Sequence, residues 1–264
     1  MQTLSEQEIT EVVTACERAF RDVRPFILER AGKDSTATDK TDGSPVTESD
    51  KAVEAAIMAA LASTGVPVYG EETGYDEHVD GTFVLIDPID GTRDFIENVP
   101  HFTNMAVLIT DGAAVAAVIH NVTTGDMYTC RLGAGAYKNG KRLQLADMPL
   151  PPIAYCKREF MAAIAAIIQP VGVTPEPAPR SGGFGFAMVA EGVAAARFNL
   201  RSGGYIHDYA PGGLLVREAG GVLVPVADDK YTYKTRSFVA CHPALAPVLT
   251  AHIAQLRQLE TPQR

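Results

Sequence analysis

The chain opens with apolar positions at helical spacing, Ile9, Val12, Val13, Cys16, Phe20 and Val23. Ser5 with Glu8 three places on is a capping-box signature and Gly32 a stop signal, so a helix is expected over residues 5–31. Pro25 inside that span is expected to kink the helix or split it in two. Residues 33–47 have no apolar period and many turn formers, which reads as a mobile loop. Thr47 or Ser49 then caps a second helix over about residues 50–63.

Beyond residue 66 the pattern shifts to short apolar runs bounded by turn residues. Residues 66–69 and 83–86 read as buried strands, 105–110 and 113–120 as a hairpin about Asp111-Gly112, and 127–130 and 136–137 as further strands before Asn139-Gly140. Helical patterns return near 159–168, 184–195 and 209–218, followed by a strand at 221–225. Leu150-Pro-Pro152 and the proline-rich stretch 174–179 are the candidates for a lobe boundary and a long connection. The alternation lacks strict βαβ regularity and predicts a mixed α+β layered fold. It is expected to be a single domain with an N-terminal lobe over about 1–148 and a C-terminal lobe over about 149–264.

The net charge of −9 and the lack of a basic, aromatic-interleaved stripe argue against a nucleic-acid partner. No apolar run is long enough to span a bilayer and the first residues lack a secretory pattern, so no membrane role is expected. Cys16, Cys130, Cys156 and Cys241 are too scattered for a zinc site or disulfide framework, and a reducing cytoplasm is the expected location.

The acidic excess gains a purpose in residues 83–95, FVLIDPIDGTRDF. An apolar strand is expected to deliver Asp87 at its end, with Pro88 stiffening a turn, Asp90-Gly91 reversing it and Thr92 opening a helix. Backbone N–H groups of Gly91 and Thr92 could then meet an anion. Gly70-Glu71-Glu72 ends the preceding strand, and Asp208 stands before an apolar helix. Taken singly, Asp-Pro and Asp-Gly are turn formers, Glu71-Glu72 a solvated pair and Asp208 an N-cap. Together they place Glu71, Asp87, Asp90 and Asp208 at element ends, where they could not all stay ionised without a cation. A hard ion with oxygen ligands, magnesium above all, resolves that conflict.

These motifs extend over most of the chain: Ser44-Pro-Val-Thr-Glu-Ser-Asp50, Gly70-Glu-Glu72, Asp87-Pro-Ile-Asp-Gly-Thr92, Gly133-Ala-Gly-Ala-Tyr-Lys-Asn-Gly140 and Asp208-Tyr-Ala-Pro-Gly-Gly213 through Glu218-Ala-Gly-Gly221. In this combination the chain resembles the inositol monophosphatase family of lithium-sensitive, magnesium-dependent phosphatases. The resemblance implies a layered α-β-α-β-α fold and a homodimer. It also implies that Glu71, Asp87 and the carbonyl of Ile89 hold one Mg2+, that Asp87, Asp90 and Asp208 hold a second, and that a weaker third lies near Glu71. Thr92, hydrogen-bonded to Asp50, would activate the attacking water, with Glu72 assisting. Substrate would lie against Ile89, Asp90, Gly91, Thr92 and Asp208, with Ser181 and Arg201 as further candidates.

Such a site would hydrolyse a small phosphorylated substrate directly, one ion activating water and the other stabilising the departing oxygen. A haloacid-dehalogenase-like phosphatase would space its aspartates two apart; Asp87 and Asp90 are three apart. A non-catalytic metal-binding regulator is the rival of another class, although every position expected to carry chemistry is intact. Departures from the family pattern gather on the substrate side. His207 stands where the family usually has Trp, Arg93-Asp94 replaces Thr-Asn, and residues 194–205 offer Arg197 and Arg201 but no acid. Inositol 1-phosphate is the first expectation, with histidinol phosphate, fructose 1,6-bisphosphate and 3′-phosphoadenosine 5′-phosphate as alternatives. The loop at 33–47 is expected to close over the metals, and Asp90→Asn to abolish activity without unfolding the protein.

Overall fold

The computed structural model describes residues 4–260 apart from 35, 41–42, 77–78 and 202–203. Helix α1 (Glu6–Arg30) starts at the expected Ser5/Glu8 capping box and runs unbroken through Pro25. Pro25 is exposed, so the carbonyl it deprives of a partner can turn to water without splitting the helix. The stretch 33–47, read as a loop, contains a short hairpin of β1 (Thr38–Asp39) and β2 (Pro45–Val46), and part of its turn lies outside the described residues. Thr47, rather than Ser49, caps α2 (Glu48–Leu61) and shares a capping box with Asp50.

A seven-stranded sheet follows. It comprises β3 (Val68–Gly70), β4 (Phe83–Asp90), then, after the short α3 (Thr92–Ile96), β5 (Thr103–Thr110), β6 (Ala113–Asn121), β7 (Met127–Arg131), β8 (Gly135–Lys138) and β9 (Lys141–Arg142), in chain order across the sheet. Only β3 and β4 pair in parallel. The second sheet has the order β11-β10-β12-β14-β13. Its elements are β10 (Ile153–Cys156), α4 (Met161–Ile168), β11 (Thr174–Pro177), α5 (Gly182–Ala190), β12 (Ala196–Asn199), α6 (Ile206–Glu218), β13 (Val222–Pro225), β14 (Phe238–Cys241), α7 (Ala246–Ala251) and α8 (Ile253–Glu260).

Three apolar clusters stack these elements into five layers. One joins α1 and α2 to the large sheet through Phe20, Ile57, Val84 and Ile86. A second holds α5 and α6 between the sheets, with Leu85 and Val107 on one side and Phe238 and Ala240 on the other. A third packs α4, α7 and α8 on the outer face of the small sheet through Ile164, Leu249 and Leu256. Strands β4 and β5 are thus covered on both faces, which is why they read as continuous apolar runs rather than alternating ones.

Three expectations change here. The proline-rich stretch 174–179 is not a free connection: β11 is the edge strand of the small sheet, where Pro175 and Pro177 cost no ladder bond that an inner strand would need. The helix expected to reach residue 195 stops at Ala190, and Gly192 turns the chain with φ 73°. The alanines that follow enter β12, a central strand, so tertiary pairing overrides their helix propensity. Strand β4 does not end at Asp87 but continues to Asp90.

The pair Gly212-Gly213 lets α6 approach its neighbours. A Cβ at Gly212 would lie 2.1 Å from the ring of Phe186 on α5, which itself stacks on Phe238 at 5.8 Å between centroids. Gly212→Ala is therefore expected to lower stability by about 1–3 kcal/mol. Thermal unfolding checks this, and an unchanged midpoint would contradict the close packing.

Candidate active site

The geometry begins with a bulge. Asp87 pairs with Met105 and Asp90 with Thr103, so β4 carries one more residue than β5 over this interval. In a regular strand side chains three apart point to opposite faces; the inserted residue lets Asp87 and Asp90 share one. Asn104 supports the bulge by donating from Nδ2 to the Pro88 carbonyl at 2.5 Å. Gly91 follows with φ 89°, a left-handed conformation that lets the chain turn at once into α3.

Asp90 is held firmly. Its Oδ2 accepts from Ser181 Oγ at 2.5 Å, Thr103 Oγ1 at 2.7 Å and the Gly183 amide at 2.7 Å, while Oδ1 accepts from the Gly182 amide at 3.0 Å. This carboxylate therefore occupies the N-terminus of α5, where amides and helix dipole favour an anion. A Cβ on Gly182 would meet the Asp208 carbonyl at 2.7 Å, and one on Gly183 would meet Thr103 Oγ1 at 2.5 Å. Asp90 thus ties the large sheet to α5 as well as facing the site. Ser181, expected against substrate, is fully buried and serves as the α5 N-cap and a donor to Asp90.

Glu71 and Glu72 stand just after β3 in a turn fixed from below. The buried Glu54 carboxylate accepts from the Glu72 amide at 2.7 Å and the Thr73 amide at 2.8 Å. Any Cβ at position 70 would strike that carboxylate at 2.1 Å, which explains the glycine before the acidic pair. Glu54 was not singled out from the sequence. Its signal is a position one helical turn beyond Asp50, beside Val53 and Ile57 on the buried face of α2. Lys40, from the β1–β2 hairpin, places Nζ 2.6 Å from Glu71 Oε1 and 2.7 Å from Glu72 Oε1.

Asp50 has two tasks. Oδ2 accepts from the Thr47 amide at 2.8 Å and its hydroxyl at 2.6 Å, closing the α2 cap, while Oδ1 lies 3.3 Å from Thr92 Oγ1. Thr92 Oγ1 is also 3.2 Å from the Ile89 carbonyl. Asp208 sits in the first turn of α6, accepting from the Tyr205 amide at 2.5 Å. Glu71, Asp87, Ile89, Asp90, Gly91, Thr92 and Asp208 all line one cavity of about 630 Å³, with Gly43, Ser44 and Pro45 on its rim. The cations on this cavity are Arg93, Lys157 and Arg180. Arg201 is not among its lining residues: Nε donates to the Leu259 carbonyl at 2.6 Å, and the guanidinium lies 4.7 Å from the Phe160 ring centre. Arg197 is buried against Phe186. His207, which stands in place of the family's usual Trp, is buried with its Nε2 3.9 Å from Glu71 and 3.7 Å from Asp208.

Burial first, and crowding of like charge second, bear on the protonation of these groups. Burial, reinforced by Glu71, Asp90 and Asp208, pushes Asp87 well above the usual carboxylate range. Burial and then Glu71 and Asp90 raise Asp208, and burial raises Asp90 against its four hydrogen bonds. Burial lifts Asp50 to about 6 and Glu72 to about 7. Burial also lowers His207, against the pull of Glu71. The donor set suits a divalent cation: the acids converge, Asp87 Oδ1 is buried without a hydrogen-bond partner among the described residues, and the Lys40 ammonium already bridges Glu71 and Glu72.

Two outcomes follow. Glu72, Asp208 and Asp87 hold their protons more tightly folded than unfolded, so the stability this confers disappears as pH rises through their folded values. Buried His120, lowered to about 4, works the other way only below its unfolded value. Between pH 6.5 and 8.5 the metal-free protein should therefore lose roughly 3 °C or more in Tm, and saturating Mg2+ should flatten the slope. A metal-free Tm that rises over this window would contradict it. Second, Asp90→Asn turns one acceptor oxygen into a donor facing the amides and hydroxyls that bind it. The expectation of an intact fold is accordingly revised to a loss of about 1–3 kcal/mol in the metal-free protein, read by denaturant unfolding. Unchanged or raised stability would count against the anchoring role.

The inositol monophosphatase family pattern matches residues 8–260. A probable inositol 1-monophosphatase ImpA of Mycobacterium tuberculosis is 32% identical over 211 residues, 75% of this chain and 77% of that protein. A histidinol-phosphatase of Chlorobaculum parvum is 34% identical over 129 residues, 46% of this chain and 49% of that one. In solved structures, the Thermotoga maritima IMPase superposes with a TM-score of 0.80 at 19% identity, covering 93% of this chain and 97% of that one, which bears out the five-layer fold. With the motif residues of the acidic cavity set on that fold, the chain belongs to the inositol monophosphatase family and is a phosphatase.

Proposed function

We propose that this phosphatase is a magnesium-dependent phosphomonoesterase acting on a small phosphorylated polyol, with inositol 1-phosphate as the first candidate. One observation carries the reading: Glu71, Asp87, Asp90 and Asp208 line a single cavity beside the Thr92–Asp50 pair. Glu71, Asp87 and the Ile89 carbonyl would hold one Mg2+, and Asp87, Asp90 and Asp208 a second, with a third near Glu71. Bound there, the ions supply neutralisation of the phosphate dianion and a lowered pKa for water.

The chain's own groups supply position and proton management. Thr92 has one hydroxyl proton for two acceptors, Asp50 Oδ1 and the Ile89 carbonyl, so its remaining lone pairs can accept from a water in the cavity. Asp50, raised to about 6 by burial, can take up a proton near neutral pH, and its second oxygen stays fixed by Thr47. Glu72, raised to about 7 by burial, stands ready as a supporting base. The amides of Gly91 and Thr92, two residues of the cavity lining, would serve as local donors to the phosphate; α3 is only five residues long and contributes little dipole.

Arg93 and Lys157 on the cavity favour a substrate with a second anionic or polar group, whereas Arg180 is already paired with Asp94 and Glu97. Histidinol phosphate gains weight from the similar histidinol-phosphatase. Comparing kcat/KM for inositol 1-phosphate, histidinol phosphate, fructose 1,6-bisphosphate and 3′-phosphoadenosine 5′-phosphate decides among them. No phosphate release from any of the four with Mg2+ present would overturn this substrate reading. On the best substrate, Thr92→Ala and Asp50→Asn are expected to lower kcat roughly 10²-fold or more with KM little changed. Single turnover in labelled water should place solvent oxygen in the released phosphate, whereas a trapped phosphoenzyme would refute direct hydrolysis.

A further inference from the structure

His207 is used by no step above, yet it is buried beside the acids. It is 2% exposed, and neither ring nitrogen has a hydrogen-bond partner among the described residues. Buried imidazoles seldom leave both nitrogens unsatisfied. The ring is fixed in orientation, stacked on Tyr205 at 5.6 Å and edge-on to Tyr75 at 5.8 Å. So held, Nε2 lies 3.9 Å from Glu71 Oε2, the oxygen that Lys40 does not engage, and 3.7 Å from Asp208 Oδ1. One ligand atom each from Glu71, Asp87 and His207 falls within 4.8 Å of the others. Ligands about 2.1 Å from a shared ion stand about 3 to 4.2 Å apart, so small side-chain adjustments bring all three onto one cation.

We propose that His207 is a metal ligand, converting the Glu71–Asp87 position from an all-oxygen site into a mixed nitrogen–oxygen site that takes a first-row transition ion, Mn2+ in the first instance, in preference to Mg2+. The chemistry follows from the donor. Mg2+ binds oxygen almost exclusively and sheds its waters reluctantly, whereas imidazole suits transition ions. Coordination would also give a partner to one of the two orphaned nitrogens. The Asp90–Asp208 position keeps only oxygen donors among these residues and remains suited to Mg2+. The chain would then distinguish its two principal ions by ligand chemistry rather than by affinity alone.

The inference rests on the metal-dependent reading above, and the test separates the two. Metal-free protein is titrated with Mn2+ and examined by pulsed electron paramagnetic resonance. A ¹⁴N coupling of a bound imidazole is expected in the wild type, lost in His207→Phe. In that variant Mn2+ should bind about tenfold or more weakly, with the Mg2+ dissociation constant changed by less than about threefold. His207→Gln gives the same comparison if the Phe variant does not fold. Bound Mn2+ without nitrogen coupling in the wild type, or coupling that persists in the variants, would overturn the role of His207 and leave the metal site standing. Absence of any divalent-ion binding would overturn both.

Discussion

Mutual repulsion among buried carboxylates is the constraint on which the rest of this protein depends. Asp87, Asp90 and Asp50 are buried and Asp208 half-buried, and desolvation drives each toward its neutral form. Left alone, such a cluster would splay apart or pull in water. Instead each backbone position is fixed by a separate device: the β4 bulge for Asp87, the amides at the start of α5 for Asp90, the Glu54-braced turn for Glu71 and the first turn of α6 for Asp208. Lys40, bridging Glu71 and Glu72, supplies part of the opposing charge from the chain itself.

The five layers serve that arrangement. Helices α5 and α6 lie between the sheets, and their N-terminal ends reach the end of β4. Closeness is set by residues without side chains: Gly182 against the Asp208 carbonyl, Gly183 against Thr103, Gly212 against Phe186. Rigid packing thereby supplies the precision that a charge cluster cannot supply for itself, since its own forces push outward.

Much of the site was legible in the chain because its signals are local. Asp87-Pro-Ile-Asp-Gly-Thr92 states which residues face the cavity, and the apolar runs beside it state that β4 is buried on both sides. What could not be read was set by pairing between distant segments. The bulge exists only because β5 lies opposite β4, so the sequence alone suggested a turn where a strand continues. Glu54 reads as any helical acid until the Glu72 and Thr73 amides, which lie beyond β3, are folded onto it. Arg201 and Lys157 are both cations outside the acidic motifs, and the tertiary fold alone decides that Arg201 turns to the Leu259 carbonyl while Lys157 lines the cavity. The prolines of β11 are misleading for the same reason: an edge position is a property of the sheet, not of the residues.

Clustered acids with raised affinity for protons should exchange those protons for divalent ions. Isothermal titration of Mg2+ into the metal-free protein near pH 7, repeated in two buffers of different ionisation enthalpy, tests it most directly. Saturable uptake accompanied by net proton release is expected, seen as a heat that changes with the buffer. Saturation with no buffer dependence, or no uptake at all, would contradict it.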